Sequence, residues 1–363
     1  MMNKSKKFSI AALFKNQIFI PIVALLILVL FNLIADPSFF KITYQLNADG
    51  NYILNGNLIQ ILDFGSELAI LAIGMTFVTA ASGGQDISVG AAIAIAGSVV
   101  LKVLCGSNTR PEVGQLRTSF FVAFLVACVV AALFGAFNGV LVSVFKIQPM
   151  VATLILFTAG RSIAAWINNN ELPIISDPEF MYFGGYIPGI PIPTPALIAI
   201  VVFIVTALLL KFTNLGLYVQ AVGINARSSR LNGLNPTMIK FVSFVLLGIC
   251  VAVAGLIKVS RLATINYSVV AKDIEMDAIL AVALGGNALG GGKFNMAASI
   301  LGAYVIQFLT ITLYAYKVKS DALPAYKAVV VILLVVFSAP TVREWMSKTW
   351  KKLTTNKASK EVA

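Results

Sequence analysis

Charged residues are scarce in this chain and histidine is missing from it. Only 12% of its 363 residues are charged, whereas a soluble domain carries roughly 25%, so the composition excludes a water-soluble globule. Without histidine, His-based catalysis and the usual His metal sites are excluded as well. The three cysteines, Cys105, Cys128 and Cys250, have no CxxC spacing and lie in or beside apolar segments. Neither a disulfide framework nor a zinc site is therefore indicated.

Long apolar runs fill most of the sequence, with a mean hydropathy of +0.91. Runs of about 18 or more apolar residues are candidate membrane helices. We predict an all-α polytopic membrane protein with about ten transmembrane helices. The predicted apolar segments are 18–35, 58–80, 87–104, 119–145, 150–167, 194–210, 239–257, 276–291, 296–316 and 323–339.

The distribution of basic residues predicts the orientation of these segments. With a cytoplasmic N-terminus, more than half of the 27 Lys and Arg residues fall on the cytoplasmic side, as the positive-inside rule requires. The loop 168–193 has no Lys or Arg and is rich in Pro and Gly, which favours a structured external cap or a short re-entrant element. We expect a cytoplasmic tail at 1–17, a permease domain at 18–339 with a cytoplasmic loop near 211–238, and a basic cytoplasmic tail at 340–363. The net charge of +12 then indicates membrane orientation and contact with anionic lipids, not with nucleic acid.

The stretch SGGQDISVG, residues 82–90, separates two membrane-length apolar runs. Asp86 can cap a helix that starts at Ile87, while Gly83 and Gly84 permit a sharp reversal or close helix contact. The pattern suits a simple capped turn. It also suits a helix break that lines a solute path, because irregular backbone at membrane depth must be buried in protein or face a cavity.

Several polar side chains within the apolar runs are candidates for a solute path. Asp63 and Glu67 lie four residues apart on one helix face, where they line a path or are solvated at the interface. Arg161 can pair with either acid, donate to sugar oxygens or form a structural ion pair. Three neutral candidates can bind carbohydrate hydroxyls or neighbouring helices: Asn138, Gln148 and Gln307.

Two further segments carry recognisable patterns. In AVGINARSSRLNG, residues 221–233, Asn225 can cap a short helix that bears Arg227 and Arg230, and Gly233 can end it. An ordinary positive-inside loop is the alternative. A second glycine cluster lies at 285–292. The segment GNALGGGKF, residues 286–294, does not match the P-loop pattern, because Asn287 stands where Gly is needed and Phe294 where Ser or Thr is needed. A faint internal echo links ELAILAIGM (67–75) with DAILAVALGG (277–286).

The sequence resembles the permease subunits of ribose-type sugar ABC importers from about residue 58 to 339. The resemblance rests on GGQDISVG, IQPMVATLILFTAGR, AVGINARSSRLNG and DAILAVALGGNALGGGKFN, and within that family it is greatest to galactofuranose permeases. It implies a type II importer permease fold that catalyses no chemistry and binds no cofactor, with ATP and Mg held by partner P-loop ATPase subunits. It also implies a second permease copy or paralogue, an extracytoplasmic sugar-binding protein and a bacterial plasma (inner) membrane location. The residues implied in ATPase coupling are Gly223, Asn225, Arg227, Ser228, Arg230 and Gly233.

Three alternatives are weighed beside this one. Permeases for nucleosides or branched-chain amino acids resemble the same family, and a carboxylate-bearing solute would favour a fixed cation such as Arg161 in the path. An ion-coupled secondary carrier would need no ATPase, but it gives no reason for a capped basic helix at 225–233. An intramembrane enzyme has no support, since histidine and a convincing catalytic pair are missing from the sequence.

Overall fold

Each of the ten predicted apolar segments contains a helix. The computed structural model describes residues 18–46, 50 and 52–338, so the predicted tails at 1–17 and 340–363 lie outside the described residues. The elements in chain order are α1 Phe19–Ala35, a 3-10 helix Pro37–Phe40, β1 Thr43–Leu46, β2 Tyr52–Asn55, α2 Asn57–Ser82, α3 Val89–Cys105, α4 Phe120–Ser143, α5 Pro149–Ile167, α6 Pro178–Met181, α7 Thr194–Phe212, α8 Leu215–Ile224, α9 Ala226–Leu231, α10 Pro236–Leu262, α11 Ile274–Leu284, α12 Met296–Ala315 and α13 Leu323–Ser338.

Six of these helices are long and apolar enough to cross a membrane, namely α2, α4, α5, α7, α10 and α12. The prediction of a helical polytopic fold is confirmed, while the count of about ten crossings stays a prediction. The eighth segment, predicted at 276–291, differs most from its helix. Helix α11 ends at Leu284, because Gly286 has a φ of +74° and the backbone reverses there. At 11 residues α11 is about 16 Å long, shorter than a full span.

Helices α2 and α10 form the centre of the bundle. The most apolar 18-residue window of α2 is 83% buried and that of α10 is 72% buried, against 17% for α7. Helix α2 packs against α7, α10, α11 and α12, and α10 packs against α2, α3 and α4. The outer helices leave large apolar side chains exposed, such as Leu133 on α4 and Val205 on α7. These faces suit contact with lipid tails, which are as apolar as the side chains themselves.

Glycines bring α4 and α10 into close contact. A Cβ atom on Gly248 of α10 would lie 2.4 Å from the carbonyl oxygen of Ala131 on α4, and one on Gly135 would lie 2.4 Å from the carbonyl oxygen of Phe244. A side chain at either position would force the two backbones apart. Small residues at such crossings provide the packing that holds membrane helices together.

The loop at 168–193 is structured, as predicted, and one short hairpin adds β structure to the predicted all-α fold. Strands β1 and β2 pair antiparallel, and the backbone N–H of Leu54 donates to the carbonyl of Pro191 (3.1 Å). The Tyr186 hydroxyl donates to the carbonyl of Leu54 (3.1 Å). The loop also reaches the end of α10, where Arg261 donates from Nε to the carbonyl of Gly184 (3.2 Å). Hairpin and loop together cover one end of the bundle.

We predict that Gly248→Ala lowers the melting temperature of the detergent-purified protein, because the new methyl group would contact the Ala131 carbonyl. Overpacking of this kind costs about 1–3 kcal/mol, which outweighs the gain in helix propensity from Gly to Ala of about 0.5–1 kcal/mol. Thermal unfolding followed by tryptophan fluorescence measures the change. Gly290→Ala is the matched control, since no atom lies within 4 Å of its added Cβ. Equal melting temperatures for both variants would show that the close α4–α10 contact does not limit stability.

Candidate functional site

Four charged side chains join α2 to α10. Lys258 Nζ lies 2.8 Å from Glu67 Oε2, and Arg261 Nη2 donates to Asp63 Oδ1 at 2.8 Å while its Nη1 donates to Glu67. The Arg261 guanidinium also lies over the ring of Phe64, 4.4 Å from the centroid. The two acids are four residues apart on α2 and the two basic residues are three apart on α10, so each pair lies on one face of its helix and the two faces meet.

Glu67 is the buried member of this cluster, and its three partners are partly exposed. Glu67 follows the start of α2 by ten residues, a distance of about 15 Å along the helix, and its side chain is only 3% exposed. Solvation at the interface, one of the two predicted environments of the pair, therefore does not describe Glu67. A buried charge needs partners, and Glu67 has two of them.

Arg161 does not pair with Asp63 or Glu67, which corrects the predicted ion pair. Its Nη1 donates to the backbone carbonyls of Tyr267 (2.8 Å) and Val270 (2.9 Å). Arg161 thus holds the non-helical segment 263–273 that joins α10 to α11. The partners of Asp63 and Glu67 are Lys258 and Arg261, near the end of α10. The sequence signal for them was two basic residues three apart, a spacing that matches the acids of α2.

The segment 263–273 is irregular backbone placed against a helix N-terminus. Ala263, Ala271 and Asp273 have positive φ values of 51–64°. Near its end, Glu275 is buried and approaches the start of α3, where a Cβ on Gly90 would lie 2.3 Å from Glu275 Oε2. The positive end of the α3 dipole favours a carboxylate there. Irregular backbone inside a membrane bundle is tolerated where it is buried or lines a cavity, and this segment does line one.

A cavity of about 550 Å³ opens between α2, the segment 263–273, α11, α12 and α13. Its polar lining residues are Gln60, Glu67, Lys258, Lys272, Asp277, Gln307, Thr310, Tyr314 and Lys327. Lys327 Nζ lies 2.8 Å from Asp277 Oδ2, so this cavity holds a second acid–lysine pair beside Glu67 and Lys258. Glu67 and Asp277 each precede the shared AILA of the internal echo. The cavity volume falls in the usual range of small-molecule sites.

The structure brings only part of the predicted solute path to this cavity. Glu67 and Gln307 line it, and Asp63 lies beside it through its bond to Arg261. Lys258, Asp277 and Lys327 were not predicted. Asp277 could have been found from the echo and Lys258 from its spacing to Arg261, whereas Lys327 had no signal beyond a charge in an apolar run.

Asp86 and Asn138 form a separate buried network. Asp86 Oδ1 accepts hydrogen bonds from the backbone N–H (2.8 Å) and the hydroxyl (2.6 Å) of Ser88, and Asn138 Nδ2 donates to Asp86 Oδ2 (3.1 Å). The helix that follows begins at Val89 rather than at Ile87, because Asp86 closes a turn around Ser88 before α3 starts. The space beside these groups is about 10 Å³, which holds at most one water.

The two glycine clusters meet at the end of α2. Gly83 ends that helix with a φ of +68°, and Gln85 Nε2 donates to the carbonyl of Leu289 (2.9 Å). A Cβ on Gly83 would lie 2.8 Å from the carbonyl oxygen of Gly290, and the N–H of Gly292 donates to the carbonyl of Ala80 (3.0 Å). We call the contact of residues 80–85 with residues 289–292 the glycine junction. Gly84 also packs closely, since its Cβ would lie 2.7 Å from the Pro149 ring.

The predicted short basic helix is confirmed as α9, and it adjoins the glycine junction. Asn225 caps it by accepting from the N–H of Ser228 (2.9 Å), and Gly233, with a φ of +83°, follows its end. Arg227 and Arg230 are both exposed. Just before α9, a Cβ on Gly223 would lie 1.8 Å from the carbonyl oxygen of Ala80, so α8 can approach the end of α2 only because residue 223 is glycine.

Gln148 lies near α9 and not in the 550 Å³ cavity. It is exposed and lines a second cavity with Arg227 and Arg230. The predicted solute-path candidates therefore divide among the charged cavity, the Asp86 network, the glycine junction and this second cavity. Their roles in transport stay predictions.

A multi-helix bundle with an ion-paired cavity and an exposed, capped basic helix defines a membrane-transport subunit. Residues 57–339 match the family described as "Branched-chain amino acid transport system / permease component". The chain belongs to this family of ABC transporter permeases. It is a multi-pass membrane protein, and ATP hydrolysis is the task of separate ATPase subunits. Family membership separates it from ion-coupled secondary carriers.

Curated relatives cover most of the chain. It is 36% identical to the galactofuranose transporter permease protein YtfT of Escherichia coli (strain K12), over 87% of each chain. It is 34% identical to the fructose import permease protein FruF of Bifidobacterium longum (strain NCC 2705), over 94% of this chain and 93% of the relative. The ribose import permease protein RbsC of E. coli K12 is 33% identical, over 86% of this chain and 91% of the relative. No solved structure matches the chain.

We predict that Glu67→Gln destabilises the bundle, because it removes the described charged partner of Lys258 and leaves Arg261 paired with Asp63 alone. Removing one member of a buried ion pair costs about 3–5 kcal/mol, and thermal unfolding in detergent measures the loss. Glu112→Gln is the matched control, since Glu112 is exposed and accepts a single described side-chain hydrogen bond, from Gln115. An unchanged melting temperature for Glu67→Gln would mean that the cluster does not hold α2 to α10.

Proposed function

We propose that this chain is the membrane-spanning permease subunit of a bacterial ABC importer for a neutral monosaccharide of the ribose, galactose or galactofuranose kind. The observation that carries the proposal is the 550 Å³ cavity with its two acid–lysine pairs, Glu67 with Lys258 and Asp277 with Lys327. The sugars in the names of the relatives support the same solute class.

The cavity suits a neutral polyol for a chemical reason. Carboxylates accept hydrogen bonds and ammonium groups donate them, while Gln60 and Gln307 do both. Glu67 and Asp277 already have cationic partners, and Lys272, the other charged residue of the lining, is exposed to solvent. The cavity therefore offers oriented donors and acceptors without needing an ionic solute to balance them. A sugar hydroxyl, which donates and accepts, can bridge such a pair.

The orientation and the partners follow from charge and from α9. Both termini lie in the cytoplasm of a plasma (inner) membrane protein, and the basic cytoplasmic surface contacts anionic lipids. Two ATPase subunits bind ATP and Mg inside, and α9 docks on one of them as the coupling helix. A second permease copy or a paralogue completes the path, and an extracytoplasmic binding protein delivers the sugar on the side covered by the hairpin and the loop 168–193.

Movement of α9 reaches the cavity through the glycine junction. Gly223 packs on the carbonyl of Ala80, which also accepts the N–H of Gly292. Ala80 lies on α2, the helix that carries Glu67, and Gly292 follows α11, the helix that carries Asp277. A shift of α9 on its ATPase is therefore passed to both acid-bearing helices as a rigid-body displacement.

We predict that the purified chain copurifies with a P-loop ATPase, and that Arg227→Glu with Arg230→Glu abolishes this. Charge reversal removes attraction at the docking surface without touching the buried core, since both side chains are exposed. Arg227→Lys with Arg230→Lys keeps the charge and retains the ATPase. Mass spectrometry of tagged protein in mild detergent gives the readout. Recovery of the chain alone, still transporting without ATP, contradicts the importer proposal.

We predict that Gln307→Leu raises the sugar concentration for half-maximal uptake by about fivefold, the effect of losing one hydrogen bond. The assay uses proteoliposomes that contain the permease, its ATPase and its binding protein, with labelled galactofuranose, fructose and ribose. Gln115→Leu, in an exposed loop away from the cavity, is the matched control.

Uptake of leucine or a nucleoside in place of every sugar would favour the other solute classes of this family. Equal sugar uptake by Gln307→Leu and Gln115→Leu would remove the cavity from the solute path.

A further inference from the structure

A second cavity, about 430 Å³ in volume, lies at the α9 end of the bundle. It is bounded by the end of α4, the turn 144–148, α9 and the start of α10. Four of its lining residues are basic, namely Lys146, Arg227, Arg230 and Lys240, and no acidic residue lines it. Within the part of the chain that the structure describes, none of the four makes a salt bridge. Lys146, Arg227 and Arg230 are exposed and Lys240 is half-buried, and cations of one sign lining a cavity attract an anion to it.

A buried hydroxyl points to the same kind of ligand. The hydroxyl oxygen of Ser143, which lines this cavity, is buried and has no hydrogen-bond partner among the described residues, and the residue is 7% exposed. A buried polar group without a partner is destabilising, whereas a serine hydroxyl can donate to an anionic oxygen. Two long helices also start at this cavity, α5 at Pro149 and α10 at Pro236. Their positive dipole ends favour an anion, above all a phosphate.

Apolar residues beside the cavity indicate that the anion carries a hydrocarbon portion. Val144 and Phe145, next to Lys146 in the turn, are 56% and 67% exposed, and Met238, near Lys240, is 54% exposed. A free phosphate would gain nothing from these side chains. A phospholipid places its acyl chains against such a surface while its headgroup enters the basic cavity.

We infer that this cavity binds the phosphate group of an anionic phospholipid from the cytoplasmic leaflet. The inference rests on the proposed orientation only for the choice of leaflet. Lys146 and Lys240 supply the charge on the membrane side, and the Ser143 hydroxyl donates to a phosphate oxygen. Because α9 lines the cavity, the lipid contacts the helix that we propose docks on the ATPase.

The test is native mass spectrometry of the full-length chain titrated in detergent with phosphatidylglycerol, and separately with phosphatidylcholine. We expect retained phosphatidylglycerol and little phosphatidylcholine. Basic residues near a membrane surface contribute about fivefold each to anionic-lipid binding, so Lys146→Gln with Lys240→Gln should weaken phosphatidylglycerol binding about 25-fold. Lys211→Gln with Lys293→Gln removes the same charge from exposed positions outside the cavity and should leave binding within about twofold of wild type.

Competition with inorganic phosphate and the control variants distinguish a phospholipid site from a site for free phosphate and from binding elsewhere on the chain. If inorganic phosphate displaces phosphatidylglycerol at an equal concentration, the site is one for free phosphate and the lipid inference is overturned. Equal lipid binding by both double variants overturns it too. Should the double variant fold poorly, Lys146→Gln alone still tests the site, because Lys146 is exposed in a turn. Lipid binding is measured without ATPase or sugar, so its failure is distinct from a failure of the importer proposal.

Discussion

Pairing of α2 with α10 around the buried carboxylate of Glu67 is the interaction on which the rest of this structure depends. Asp63 and Glu67 lie about 9 Å and about 15 Å along α2 and face Lys258 and Arg261 on α10. A single unpaired charge at that depth would be strongly destabilising. Satisfying all four together fixes the rotation and the register of the two central helices. Helices α3, α4, α7 and α12 then pack directly against this pair, whose relative position is set.

The same pairing shapes the cavity. Lys258 and Glu67 are fixed on one wall, and the short helix α11 brings Asp277 and its partner Lys327 to the other. Helix α11 can end inside the bundle because the irregular segment before it is held by Arg161, whose guanidinium binds the Tyr267 and Val270 carbonyls. A long cation serves here as a backbone clamp, which satisfies carbonyl groups that the helix does not pair. The cavity exists because a helix is interrupted and the interruption is stabilised.

At the C-terminal end of α2, glycines allow close contact between backbone segments. Gly83, Gly223 and Gly292 allow three segments to meet at backbone distance, and the hydrogen bond from Gly292 to Ala80 ties them. Close backbone packing leaves little room for relative sliding, so displacement of one segment displaces the others. In the proposed importer, this contact links the exposed basic helix α9 to the helices that carry the cavity acids. The basic cavity around Lys146 and Lys240 lies beside α9.

The sequence by itself determined the helical membrane architecture, the capped basic helix at 225–233 and the family, because apolar period, capping residues and glycine motifs are local signals. It also suggested that Asp63 and Glu67 share a face. Only the tertiary structure decided that their partner is Arg261 and not Arg161, that Asp86 and Asn138 bind each other, and that Gln148 lies apart from Gln307. These outcomes depend on which helix faces which. That choice is made by many long-range contacts at once, and no local pattern in the chain encodes it.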